Sequence, residues 1–170
     1  MKSIQSIPKK ILSLPELKQQ AQRWRLQNRK IVFTNGVFDI LHEGHIASLS
    51  EAASYGDILV VGLNADASVK RLKGPERPIN GETARALILA SLVMTDCIVL
   101  FEEDTPLNLI IALMPDVLVK GGDYTVEQIA GAKEVMAAGG EVKLARIVEG
   151  ISTTAIITKM KNGNPEADKT

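Results

Sequence analysis

Ile31-Val32-Phe33-Thr34-Asn35-Gly36-Val37-Phe38-Asp39-Ile40-Leu41-His42-Glu43-Gly44-His45 runs directly into Ile46-Ala47-Ser48-Leu49-Ser50-Glu51-Ala52-Ala53. The β-branched opening reads as a buried strand, the glycine-bearing middle as a turn, and the last run as a helix. In α/β folds, phosphates bind where a strand passes through such a turn into a helix. The amides of a helix's first turn lack intrahelical partners, and the helix dipole favours an anion beside them. His42 and His45 are the only histidines of the chain. Three residues apart, their imidazoles project from one face of the first helical turn and add donors to those amides. The stretch reads as a nucleotide-phosphate site.

Outward from it the same alternation repeats. Val/Ile/Leu-rich runs place strands at 31–34, 58–63, 97–101, 117–120 and 142–148, with helices at 44–54, 81–94, 106–113, 126–138 and 152–161. Near-continuous apolar strands are those covered by helices on both faces. The fold class is therefore α/β, a Rossmann-like doubly wound parallel sheet of five strands in the order 3-2-1-4-5. Ahead of it, Ser13 as a cap, Pro15, Glu16 and then Leu17, Ala21, Trp24 and Leu26 give an added N-terminal helix. Residues 1–29 are thus a helical extension, 30–160 the α/β domain and 161–170 a disordered tail. Trp24 on an exposed face of the extension would give a contact for a homo-oligomer.

Composition narrows the function classes. One domain fits the 170 residues, and 45% apolar content fills its core. Twenty basic and twenty acidic residues cancel, which leaves no global field to recruit nucleic acid or an anionic membrane. Cys97 stands alone, so a multi-cysteine zinc site is excluded and a reducing, cytoplasmic setting is expected. No window reaches the roughly 20 apolar residues of a membrane span, and no secretory leader is expected.

Three further turns carry chemistry. Lys70, Arg71 and Lys73 fall within four residues, with Arg77 close behind. A solvated basic turn is the bland account, and a phosphate clamp by Lys73 or Lys70 the sharper one. Lys120-Gly121-Gly122-Asp123-Tyr124 follows the fourth strand, where glycines let backbone approach a ligand. Gly150-Ile151-Ser152-Thr153-Thr154 opens the last helix; Ser152 is a preferred N-cap, and its neighbours offer donors to a second phosphate. Asp39 reads as a structural hydrogen-bonding residue. In an open α/β sheet these turns gather at the carboxyl edge, where strand order reverses.

Thr34-x-Gly-x-Phe-Asp-x-x-His-x-Gly-His45, with Gly150-Ile-Ser-Thr-Thr154, resembles the HxGH nucleotidyltransferase superfamily. Asn64-x-Asp-x-Ser-Val-Lys-Arg-Leu-Lys-Gly74, Phe101-Glu-Glu-Asp-Thr-Pro106 and Leu118-Val-Lys-Gly-Gly-Asp-Tyr124 narrow the resemblance to the adenylyltransferases of ADP-heptose synthesis. In that family this domain is often the C-terminal half of a protein whose other half is a sugar kinase. The resemblance implies AMP transfer from ATP to D-glycero-D-manno-heptose 1-phosphate, with Mg²⁺ held through the nucleotide's phosphates and no metal ligand from the protein. It implies catalytic roles for His42, His45, Lys73 and Ser152. Nucleotide contacts would come from Thr34, Asn35, Gly36, Phe38, Gly44, Lys70, Arg85, Gly121, Asp123, Gly150, Ile151, Thr153 and Thr154. A chain without the kinase half would work downstream of a separate sugar kinase. Val37 departs from the family's usual cysteine, a swap of small apolar groups. The run into Gly150 leans towards the glycerol-phosphate cytidylyltransferases, although their arginine before the glycine is displaced here to Arg146. A cytidylyltransferase of glycerol 3-phosphate or another polyol phosphate is the alternative enzyme, and a nucleotide-binding sensor without turnover the alternative of another class.

Overall fold

A computed structural model of the chain describes residues 4–122, 124–146 and 152–161. Its frame is a five-stranded sheet ordered β3-β2-β1-β4-β5 and parallel throughout. The strands are β1 (Ile31–Gly36), β2 (Ile58–Asn64), β3 (Cys97–Phe101), β4 (Val117–Gly121) and β5 (Glu141–Ala145). The helices are α1 (Leu14–Leu26), α2 (Glu43–Ala53), α3 (Asp66–Lys73), α4 (Glu82–Ala90), α5 (Leu107–Leu113), α6 (Ala132–Ala137) and α7 (Thr153–Lys161). The expected topology and strand order are those observed.

Strand side chains alternate between two apolar layers. Ile31, Phe33, Val60, Val99 and Leu118 pack with residues of α1, α5 and α6 on one face. Val32, Leu59, Val61, Ile98 and Val119 pack with α2 and α4 on the other. Both faces being covered is why the strands carry so few polar residues. Cys97 is buried in the first layer, and burial pushes its thiol up to about 12, which leaves it inert at neutral pH.

The N-terminal helix differs from the expectation. Leu17, Ala21 and Trp24 are buried in the first layer, and Ser13 and Glu16 form a capping box at the start of α1. The preceding segment is tied to the sheet by a parallel bridge between Ile11 and Ile98 and by Leu12 N–H donating to Ile98 O at 2.9 Å. Residues 14–26 are thus core, and Trp24 offers no exposed contact for a second copy. The apolar spacing showed that the helix has a buried face, but not that the sheet supplies the cover.

Other boundaries have local causes. Thr95 Oγ1 donates to Leu89 O and Lys10 Nζ to Thr95 O at 2.6 Å, so the chain leaves α4 at Ala90 to enter β3. The expected helix at 126–138 splits into a short 3-10 turn, Val126–Gln128, and α6. Gly131 at φ +82° separates them, and a Cβ there would lie 2.7 Å from Ile110. Residues 147 and 148 of the expected fifth strand, and 162–170 of the expected tail, lie outside the described residues.

The β1–β4 ladder runs only over Val32↔Val117 and Phe33↔Leu118, although both strands continue, to Gly36 and Gly121. The two central strands therefore part at their carboxyl ends. This is the point where strand order reverses, and the parting opens a cleft there.

Candidate active site

Two cavities occupy that cleft and meet at the histidines. The larger, about 640 Å³, is walled by the β1 end, Lys73, Arg77, Asp104–Pro106, Lys120, Tyr124, the 128–130 segment and Ser152–Thr154. The smaller, about 300 Å³, is walled by Thr34, Gly44, Ser48, Gly121, Gly122 and Arg146. Asn35, Gly36, Val37, Phe38, His42 and His45 line both. These volumes suit small-molecule substrates.

His42 is the N-cap of α2 and His45 lies in its first turn. Their rings stack with centroids 3.9 Å apart, so the two imidazoles act as one unit. Phe38 sits against His45 at 5.2 Å and adopts a left-handed backbone, φ +46°, rare for a bulky residue. Its ring lies over Gly36, where a Cβ would come within 2.9 Å of it. The conformation therefore depends on glycine at 36, and it props the histidine pair.

Among the described residues, Nδ1 of each histidine is buried without a hydrogen-bond partner. A nitrogen with no acceptor nearby is best left as the lone-pair atom. The neutral rings then carry their proton on Nε2 and can donate it to an anion. Burial holds both rings below the usual histidine range. His45 is brought to about 4 by desolvation and then by His42, while Glu43 partly offsets the effect of burial on His42.

This has a consequence for stability. Between pH 6.5 and about 4 the unfolded chain protonates its imidazole where native His45 stays neutral. The unfolded state binds more protons there, so acidification across that window destabilises the fold, and below it this group adds nothing further. Thermal melts of wild type and His45→Asn between pH 7 and 4 are expected to diverge, with the variant flatter in pH. Parallel curves would show that His45 is not neutral in the native protein.

Asp39 is buried and accepts from Ile79 N–H at 2.8 Å, Asn80 N–H at 2.8 Å and Arg77 Nε at 2.7 Å. Burial alone would raise its carboxyl pKa; the two amides and Arg77 outweigh it and hold the group below the usual aspartate range. Its role is structural: it pins the α3–α4 connection against the strand-to-helix turn at 37–42.

Arg85 was expected to face the ligand and does not. It is fully buried, with Nε donating to Asn80 O, Nη1 to Val37 O and Asn64 O, and Nη2 to Asp66 Oδ1, all at 2.7–2.9 Å. Four acceptors from three separate segments beneath the site converge on this one guanidinium. It is a strut, and among the described residues it lines neither cavity.

The basic turn also differs. Lys70, Arg71 and Lys73 lie in the last turn of α3, where cations meet the carboxyl end of the helix dipole, and Gly74 ends that helix. Lys73 reaches the large cavity; Lys70 is exposed and lines neither. Ser152 accepts the Ala155 amide at 3.1 Å, as an N-cap does, and still lines the large cavity with Thr153 and Thr154. Thr34, Asn35, Gly36, Phe38, Gly44 and Gly121 stand on the cavity walls where expected. Asp123, Gly150 and Ile151 lie outside the described residues.

Sequence reading assigned no ligand role to Arg77, Asp104–Pro106, Lys120, Tyr124, 128–130 or Arg146, all of which line the cleft. Asp104 is paired with Arg71 at 2.8 Å and Asp39 with Arg77, so among the described residues the free charge facing the large cavity is cationic. Among the described residues, no three His, Cys, Asp or Glu side chains gather to hold a metal, and no helix is long and apolar enough to cross a membrane.

Residues 33–159 match the cytidylyltransferase-like family over three-quarters of the chain, including both histidines and the start of α7. The chain belongs to this family. It is a nucleotidyltransferase of the HxGH superfamily. It is 58% identical over 144 residues to the bifunctional protein HldE of Hyphomonas neptunium, covering 85% of this chain and 30% of that protein. The corresponding protein of Acidiphilium cryptum is 51% identical over 154 residues, 91% of this chain and 32% of its own length. The chain thus spans about a third of the length of these relatives. A solved structure of the lipopolysaccharide core biosynthesis protein from Thermoplasma volcanium aligns at 33% identity and a TM-score of 0.57, covering 71% of this chain and 97% of that one. Pantoate-beta-alanine ligase from Francisella tularensis aligns at 15% identity with a TM-score of 0.56, over 80% of this chain and 66% of its own, a likeness of fold alone.

Proposed function

We propose that this nucleotidyltransferase transfers AMP from ATP to D-glycero-D-manno-heptose 1-phosphate, giving ADP-heptose and pyrophosphate in the cytoplasm. The observation that carries the reading is the meeting of two cavities on one stacked histidine pair. A reaction that joins two substrates at one phosphorus needs two compartments that meet at a set of donors. The likeness to HldE proteins and to a lipopolysaccharide core biosynthesis protein favours a sugar phosphate as acceptor.

An oxygen of the sugar 1-phosphate attacks the α-phosphorus of ATP. The new O–P bond forms as the bond from the α-phosphorus to the bridging oxygen breaks, and the electron pair leaves on pyrophosphate. The chain's residues position the groups and stabilise charge; no protein nucleophile takes part. His42 and His45 donate through Nε2 to the α-phosphate, where charge builds in the transition state. The start of α7, with Ser152, Thr153 and Thr154, and Lys73 from α3 receive the β- and γ-phosphates. Among the described residues the cleft carboxylates Asp39 and Asp104 are engaged by arginines, so a Mg²⁺ would be held through the nucleotide's phosphates and would supply further neutralisation.

Lys73 is exposed at the rim and meets the triphosphate in ground and transition states alike. Lys73→Ala is therefore expected to raise the KM for nucleotide, with a smaller change in kcat. A raised KM for the sugar phosphate alone would assign Lys73 to the acceptor.

Base choice tests the donor. A wrong base leaves hydrogen-bonding groups unpaired, about 1–3 kcal/mol each, so ATP is expected to exceed CTP by roughly ten- to a hundredfold in kcat/KM. Efficient CTP turnover with glycerol 3-phosphate, and none with ATP and the heptose phosphate, would make the chain a cytidylyltransferase.

A further inference from the structure

Lys120 is the second residue of β4 beyond the last rung of the β1–β4 ladder, so it stands inside the parted cleft. Its Nζ crosses to the other strand and donates to Asn35 Oδ1 at 3.2 Å. On its other side it lies 5.6 Å from the centroid of the Tyr124 ring. Gly122 makes that ring position accessible: it has φ +129°, and a Cβ there would come within 2.7 Å of the ring. The ammonium is thus held between a neutral carboxamide and an aromatic face, on the wall of the large cavity.

No ion pair compensates it among the described residues. The other cations on that wall differ. Arg77 is spent on Asp39, and Lys73 is exposed to solvent. A part-buried ammonium with no counter-charge among the described residues is unfavourable, and a methionine would fill the same space better if packing were its purpose. Burial accordingly lowers the ammonium's pKa from its usual value, and a bound anion would restore the charged form.

We propose that Lys120 is a substrate-binding residue whose ammonium, held on the cavity wall by Asn35 and Tyr124, receives a phosphate group of one of the two substrates. The inference rests on the nucleotidyl-transfer reading of the site, with the phosphate coming from either the nucleotide or the sugar 1-phosphate. Asn35 and Tyr124 fix where Nζ sits, so the phosphate meets a preorganised charge.

The test compares wild type, Lys120→Met and Lys120→Arg. Methionine keeps the apolar stem and removes the charge, and its melting temperature is expected to equal or exceed that of wild type. Calorimetric titration with ATP, and separately with heptose 1-phosphate, needs no turnover. One of the two is expected to bind Lys120→Met at least about tenfold more weakly, the scale of a lost charge-assisted hydrogen bond, with partial recovery in Lys120→Arg. Loss of ATP affinity alone assigns the donor's phosphates, and loss of sugar-phosphate affinity alone assigns the acceptor's. Unchanged affinity for both ligands in a folded Lys120→Met protein would overturn the proposal. So would equal loss for both ligands accompanied by a lowered melting temperature, because the residue would then be structural. If wild type binds ATP but transfers nothing to the heptose phosphate, the proposed acceptor fails while the ATP titration still tests Lys120.

Discussion

His45→Ala is expected to lower kcat by about two to three orders of magnitude, the scale seen when one transition-state donor is removed. The fold is expected to survive. His45 Nδ1 is buried without a partner among the described residues, so deleting the ring relieves an unsatisfied polar group as well as removing packing against Phe38. The stacked geometry makes His42→Ala similar in size, and the double variant is expected to fall short of the product of the two, as residues acting as a unit do. Steady-state kinetics beside a thermal melt separate the two effects. A folded His45→Ala protein that keeps more than half of its kcat would remove the histidines from the chemistry.

Arg85→Met is expected to act through stability. The substitution strips donors from the Val37, Asn64 and Asn80 carbonyls and leaves Asp66 without its cation. Each of the three carbonyls left without its donor costs about 1–3 kcal/mol, together a large share of the roughly 5–15 kcal/mol that holds a domain folded. A fall in melting temperature on the order of 10 °C follows for a chain of this size. Arg85→Lys is not expected to rescue it, because one ammonium cannot span four acceptors on three segments. Differential scanning calorimetry of both variants is the check. A Met variant that melts with wild type and loses only nucleotide affinity would return Arg85 to the ligand.

The contrast between these two residues shows what the sequence could carry. The histidines were legible because the chemistry is local: strand, turn, glycine and both imidazoles fall within fifteen consecutive residues. The sheet order was legible for a similar reason, since apolar runs separated by helices leave few topologies open. Arg85 was not legible. It lies on a helix with apolar neighbours, and nothing local says that the acceptors for its guanidinium come from residues 37, 64, 66 and 80. Trp24 was misplaced for the related reason that periodicity identifies a buried face without naming its cover. Asp39 was read correctly as structural, but its partner Arg77, 38 positions away, was not found. The turn that Lys120 opens was placed at the carboxyl edge, but the glycines and Asp123 drew the ligand roles there and the lysine drew none. The early end of the β1–β4 ladder is what lets its ammonium cross the cleft to Asn35.

The central claim is that the cleft joins a nucleotide to a sugar phosphate. The most direct measurement is pyrophosphate release by the purified chain from ATP and Mg²⁺, with and without D-glycero-D-manno-heptose 1-phosphate. The account predicts release only when the heptose phosphate is present, in amounts equal to the ADP-heptose formed. Tight ATP binding without pyrophosphate release, whichever sugar or polyol phosphate is supplied, would contradict it.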